Sequence, residues 1–212
     1  MTTKRIYAFA LLVSLLGASS CASFRAGTDV AAGRKAYLIE SNETALSHFQ
    51  SAAQADPTYT YGAALPQNTL SYLGRTEYLT GRLPQARQTL QKAMSTNTDP
   101  NMVRLYLGLT LARSGDRQQG LKEIEGGMRG LYDWLNYFTE AFRFNYGQFW
   151  DPRGEIRSAI QTQLATLRGK DIEWQQVFAD GEWLGRRMEQ EIDWAQRDQR
   201  DDYFVNGARG SD

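Results

Sequence analysis

A 34-residue phase in the middle of the chain constrains its fold more than any other feature. Asn68-Thr69-Leu70-Ser71-Tyr72-Leu73-Gly74 aligns with Met102-Val103-Arg104-Leu105-Tyr106-Leu107-Gly108, and the register holds downstream. Gly81 falls on Gly115, Ala86 on Gly120, Leu90 on Ile124 and Ala93 on Gly127. Shifting upstream by 41 residues finds a third copy, with Gly33-Arg34 on Gly74-Arg75, Tyr37 on Tyr78, Ala45 on Ala86, Phe49 on Leu90 and Ala52 on Ala93. The seven extra residues match the stretch Thr60 to Pro66. Large and small residues kept in phase mark a supersecondary unit that buries its apolar face by stacking on copies of itself. Three repeats are expected, at about 26–59, 67–100 and 101–134.

Each copy reads as two helices. Ala86, Leu90 and Ala93 recur at i, i+4 and i+7, the spacing of one buried helical stripe. Gly81-Arg82-Leu83-Pro84 and Gly115-Asp116 supply the breaks, because glycine ends helices and proline cannot continue one. No apolar-polar alternation or Asn-Gly hairpin signal of comparable strength competes, so the expected fold class is all-α. A 34-residue helix-turn-helix with a Leu-Gly pair in its first helix and small residues at the crossing resembles the tetratricopeptide repeat. The resemblance implies a solenoid of about three hairpins whose first helices line a concave groove that receives a peptide or helix. Carried onto this chain, the groove would show Arg34 and Tyr37, then Asn68, Ser71, Arg75 and Tyr78, then Met102, Leu105 and Leu109. Arginine forks onto carboxylates and tyrosine offers apolar area with a polar tip, which makes a recognition strip. A solvated arginine face with packing tyrosines fits the same pattern, and both readings stay open.

The N-terminus has a different character. Met1-Thr2-Thr3-Lys4-Arg5 is followed by an apolar run from Ile6 to Leu16 and then by Gly17-Ala18-Ser19-Ser20-Cys21. Charge, short apolar core and small residues, in that order, form a secretory signal peptide over residues 1–20. The run is shorter than the roughly 20 residues that a spanning helix needs. The small residues ending in Cys21, the chain's one cysteine, resemble the lipobox of bacterial lipoproteins, with Ala18 where leucine is usual. That resemblance implies cleavage before Cys21, acylation of its thiol and amine, and, with Ala22 rather than Asp next, an outer-membrane anchor facing the periplasm. The full chain has 24 basic and 24 acidic residues; Lys4 and Arg5 leave with the leader, so the remainder carries about −2. No basic excess points to nucleic acid, and no polybasic run points to anionic lipid.

Beyond residue 131 the phase fades. Nine aromatics crowd Tyr132 to Trp150, with Trp134, Phe138 and Phe142 at helical spacing. Such a block suits a cap over the last repeat, which solenoids require, or a partner-binding or membrane-facing surface. Asp151 and Pro152 predict a helix start, with the helix running to about Leu167 and stopping at Gly169. Another helix is expected from about Asp171. A final one, about Glu182 to Asp201, carries Trp183, Leu184, Met188, Ile192 and Ala195 on one stripe. Glu182, Arg186, Arg187, Glu189, Glu191 and Arg197 on its other faces predict an amphipathic surface helix. Residues 135–205 thus form a C-terminal helical extension, and 206–212 a loose tail.

Little here suggests catalysis. The lone histidine, His48, has no cysteine or carboxylate cluster nearby in sequence, whereas zinc wants three or four ligands and a nucleophile wants an adjacent base. Glu140, Asp151 and Glu155 beside the aromatic block would suit a sugar-cleaving site, or simply capping and surface charge. Gly126-Gly127 lacks the lysine and hydroxyl partners of a phosphate loop. No cofactor, metal or catalytic residue is expected. The leading expectation is a lipid-anchored adaptor that binds a protein or peptide partner in a cell-envelope complex. A small-molecule binder serving a solute transporter is the alternative, and a cell-wall glycan hydrolase comes third.

Overall fold

The computed structural model describes residues 22–97, 100–169 and 171–207; the leader, Cys21 and residues 208–212 of the expected tail lie outside them. The described chain is helical almost throughout, so the all-α expectation holds. Helix α1 covers residues 22–38, followed by α2 (Asn42–Ala55), α3 (Thr69–Leu79), α4 (Leu83–Thr96), α5 (Asn101–Arg113) and α6 (Arg117–Ala141). Two-residue strands β1 (Thr60–Tyr61) and β2 (Gln67–Asn68) pair antiparallel across the inserted loop, with Thr60 opposite Asn68.

The three inter-helix turns are built alike. After α3 the Arg82 N–H reaches the Glu77 carbonyl and the Gly81 N–H that of Tyr78; after α5, Asp116 reaches Leu111 and Gly115 reaches Ala112. This paired closure requires a left-handed residue, and Gly81 and Gly115 supply it with φ of 77° and 102°. The turn after α1 makes the same two bonds, Ser41 to Ala36 and Glu40 to Tyr37, but its left-handed residue is Glu40 at φ 62°.

The crossings also repeat. A Cβ added to Gly33 would meet the Phe49 ring at 2.7 Å, one at Gly74 the Leu90 side chain at 2.6 Å, and one at Gly108 the Ile124 backbone nitrogen at 2.5 Å. The partner lies sixteen residues downstream each time, so each glycine lets its helix run close and antiparallel to the next. Between α5 and α6 the approach continues through Gly120 against Ala112 and Gly127 against Leu105. Along α4, Ala86, Leu90 and Ala93 form the expected buried stripe.

Helix α6 runs on past the start of α5, and Trp134 and Phe138 on this extension stack at 5.1 Å. A short 3-10 turn, Tyr146–Phe149, brings Trp150 edge-on to both. The next helix begins later than its sequence suggests: α7 spans Glu155–Thr166, with Gly154 in the left-handed region at its N-cap. Asp151, itself at φ 44°, still caps it, since its carboxylate accepts from the N–H groups of Ile156 and Arg157. The two expected terminal helices are one, α8 (Trp174–Gly207). Leu184, Met188, Ile192 and Ala195 are buried as expected, but Trp183 of that stripe is exposed and part of the polar side of α8 is buried. Arg187, Glu189 and Glu191, expected on its polar faces, are buried, because α8 lies across the face made by α1, α3 and α5 while the Trp150–Asp151 segment covers another side.

Candidate functional site

The nine residues expected to line an open groove are all buried. Asn68 caps α3 through Ser71 N–H and donates to Thr96, while the Ser71 hydroxyl donates to Gln67. Met102, Leu105 and Leu109 belong to the main apolar core. Of the remaining four, Arg34, Arg75 and Tyr78 bond to α8, and Tyr37 bonds to Arg75 and Tyr106 beneath it. These residues therefore present no open surface: the chain's own last long helix covers Arg34, Arg75 and Tyr78, and the rest are packed inside.

Glu189 organises that contact. Arg34 donates from Nε to one carboxylate oxygen at 2.8 Å, and Arg75 from Nη1 to the other at 2.7 Å. Both Arg75 and Glu189 are only 1% exposed. Arg34 also reaches Asp193 at 2.9 Å, whereas the other partners of Arg75 are neutral: the Tyr37 hydroxyl at 3.1 Å and the Gly185 carbonyl at 3.2 Å. The Arg75 guanidinium lies 4.9, 5.4 and 5.1 Å from the ring centres of Tyr37, Tyr72 and Tyr106, whose π faces attract a cation. Nearer the start of α8, the Tyr78 hydroxyl and Arg113 both donate to Glu182, at 2.8 and 3.0 Å.

Electrostatics follow from this geometry. Burial pushes the Glu189 carboxyl up, but Arg75 and Arg34 more than offset it and hold it below its usual range. Burial disfavours the charge on both arginines; for Arg34 the Glu189 carboxylate, and for Arg75 the tyrosines together with Glu189, raise them above the ordinary value. Burial raises Tyr72 and Tyr106, reinforced at Tyr72 by Glu189 and at Tyr106 by Tyr37.

The repeated Arg and Tyr do bind a carboxylate, but an intramolecular one. Glu189 was missed because its charge placed it on a solvent face. One signal was present: Gly181 and Gly185 stand one turn apart on α8. A Cβ at Gly181 would meet Leu109 at 2.8 Å, and one at Gly185 would run into the Tyr106 ring, so α8 can dock closely only without side chains there.

Two of the clefts along the far half of α8 are also lined by the Phe149–Asp151 segment. One, of about 290 Å³, lies among Trp194, Phe149, Arg153, Glu155 and Arg197. The other, of about 470 Å³, is apolar, between Leu65, Phe138, Phe142, Tyr146, Trp150 and Ile192. The carboxylates considered for glycan cleavage are dispersed in role: Asp151 caps α7 and binds Arg157, Glu155 lies 3.6 Å from Arg187, and Glu140 is on the surface. His48 lies 3.7 Å from Asp29. Among the described residues no three His, Cys, Asp or Glu side chains are grouped to hold a metal. No family model, curated protein or solved structure matches the chain.

Proposed function

We propose that the chain is a bacterial envelope lipoprotein, anchored through an acylated Cys21, that acts as a non-enzymatic adaptor within a cell-envelope complex. Its body is read as a tetratricopeptide-type solenoid of three hairpins, about 26–59, 67–100 and 101–134, with a C-terminal helical extension. The equal sixteen-residue crossings at Gly33, Gly74 and Gly108 support the repeat reading. Because α8 fills the inner face, the partner surface moves outward onto α8 itself.

The observation that carries the adaptor role is the outward ridge of that helix. Trp183 and Trp194 are both exposed on it, and eleven residues are close to three whole turns, so they share one side about 16 Å apart. Arg197 and the smaller cleft lie beside Trp194. Exposed tryptophan and arginine around a rigid helix are the groups that supply most binding energy at protein interfaces. Neither tryptophan belongs to the apolar core, and because Trp194 lies under Arg187 the double variant Trp183→Ala/Trp194→Ala is checked for folding by circular dichroism. It is expected to lose a protein that co-purifies with the wild type from gently solubilised membranes. An unchanged set of co-purifying proteins would reject the ridge. Replacing Cys21 with Ser is expected to release the protein from the membrane fraction.

A further inference from the structure

We infer that the end of the helix stack nearest Cys21 rests on the phospholipid surface, with Tyr137, Phe142, Phe144 and Tyr146 seated in the bilayer interface. The inference rests on the lipid-anchor reading, which decides what the end faces; the geometry of the end is independent of it. Ser23 in the first turn of α1 donates to Asp56 at 2.8 Å, and Gly27 abuts Tyr59, so the start of α1 lies beside the end of α2. Asn68 at the start of α3 pairs with Thr96 and Asn97 at the end of α4. Asn101, opening α5, abuts Gly130 of α6. All these levels form one end of the stack, and α6 continues beyond it from Leu131 to Ala141, about 16 Å more. Helix α8 runs towards the same end, since Gly181 meets Leu109, Gly185 meets Tyr106 and Ile192 lies in the cleft with Leu65.

The large exposed apolar side chains are not spread evenly. Of nine among the described residues, Phe24, Tyr137, Phe142, Phe144 and Tyr146 lie at this end, with Trp194 and Tyr203 on the part of α8 that runs to it. Phe144 is 85% exposed and Tyr137 67%. The apolar cleft of about 470 Å³ adjoins Phe142 and Tyr146, extending the patch. A patch of this kind on a soluble body marks an interaction surface. Residue 22 opens α1 at this end, so an acyl anchor on Cys21, one residue earlier in the sequence, would hold this patch within reach of the bilayer. Amphipathic rings prefer the headgroup level, where their faces are apolar and their edges wet. Arg143, over the Phe144 ring at 4.5 Å, suits a phosphate. Exposed Glu140, Asp201 and Asp202 sit at the same end, so contact is driven by apolar burial rather than by attraction to anionic lipid.

The test uses the acylated chain in vesicles of phosphatidylethanolamine and phosphatidylglycerol. Acylation blocks Cys21, leaving Phe144→Cys or Gln118→Cys as the single site for a nitroxide. Gln118 is exposed at the opposite end. The label at 144 is expected to relax with dissolved oxygen and to be shielded several-fold from a water-soluble nickel chelate, with the reverse at 118. Shielding is expected to persist in high salt and to fall when Tyr137→Glu is added, while the protein stays in the vesicle fraction. A label at 144 as open to nickel as that at 118, on a chain whose intact mass shows its acyl chains, overturns the inference and leaves the anchor standing. Shielding found in native membranes but absent from pure lipid overturns it in favour of a protein partner. A mass without acyl chains removes the anchor and this inference together.

Discussion

Replacing Glu189 with alanine tests whether α8 is held by its apolar stripe alone or also by the buried clamp. In the variant Arg34 keeps Asp193, but Arg75 is left with a hydroxyl, a carbonyl and three rings for a charge that is 1% exposed. Removing one partner of a buried ion pair costs about 3–5 kcal/mol, because the other charge is neither paired nor hydrated. For a chain of this size each kcal/mol moves Tm by roughly 2–4 °C, so a fall of about 6–20 °C is expected. Differential scanning calorimetry, with urea unfolding alongside, measures it. Asp193→Ala serves as the control, since its side chain is 42% exposed and such pairs contribute about 1 kcal/mol or less. Replacing Arg75 and Glu189 together with leucines is expected to recover most of the loss. A Tm change of Glu189→Ala no larger than that of Asp193→Ala would refute the clamp. The same carboxylate sets an acid limit. Its folded pKa lies below the ordinary value, so its contribution is present above about 4.3 and disappears as pH falls further, through the folded pKa. Wild-type stability is expected to drop in that window more steeply than that of the double-leucine variant.

At the α5–α6 crossing, Gly108→Leu would drive a side chain into the Ile124 backbone and is expected to destabilise by at least about 1–3 kcal/mol by urea unfolding, with strand-rich circular dichroism of the wild type overturning the fold itself. In the first turn, Glu40→Gly removes left-handed strain and is expected to stabilise by about 0.5–1 kcal/mol, net of the surface pair with Arg186. At high pH, Tyr72 and Tyr106 are held protonated by burial while an unfolded chain ionises near 10, so stability is expected to fall as pH rises above about 10. Spectrophotometric titration should show these phenols ionising only as the chain unfolds, and normal ionisation in the folded state would refute their burial.

The hairpins were legible because their determinants are local: Gly81 and Gly115 close their turns, and Gly74 and Gly108 sit one repeat apart. Cap positions were legible less sharply, since Asp151 caps α7 from four residues before its start, across a loop whose geometry depends on Glu191. The inner strip shows where sequence reasoning stops. Arg34, Tyr37, Arg75 and Tyr78 recur in phase whether they meet solvent, a partner or another part of the chain. What decided was a carboxylate 114 residues beyond Arg75 and 155 beyond Arg34. An amphipathic pattern assigns Glu189 to water because it counts polarity on one helix, and it cannot register two guanidinium groups waiting on others.

That long sequence separation bears on the order in which the protein is made. A chain emerging N-terminus first presents α1 through α5 well before residue 189 exists, and until then two guanidinium groups stand on an apolar face with no counter-ion. Loop closure over such spans is slow, and incomplete intermediates expose sticky surface. A product cut short anywhere before Glu189 would keep its repeats yet lack the group that neutralises them. A fragment that ends before Glu189 is therefore expected to be cleaved by protease far faster than the full chain.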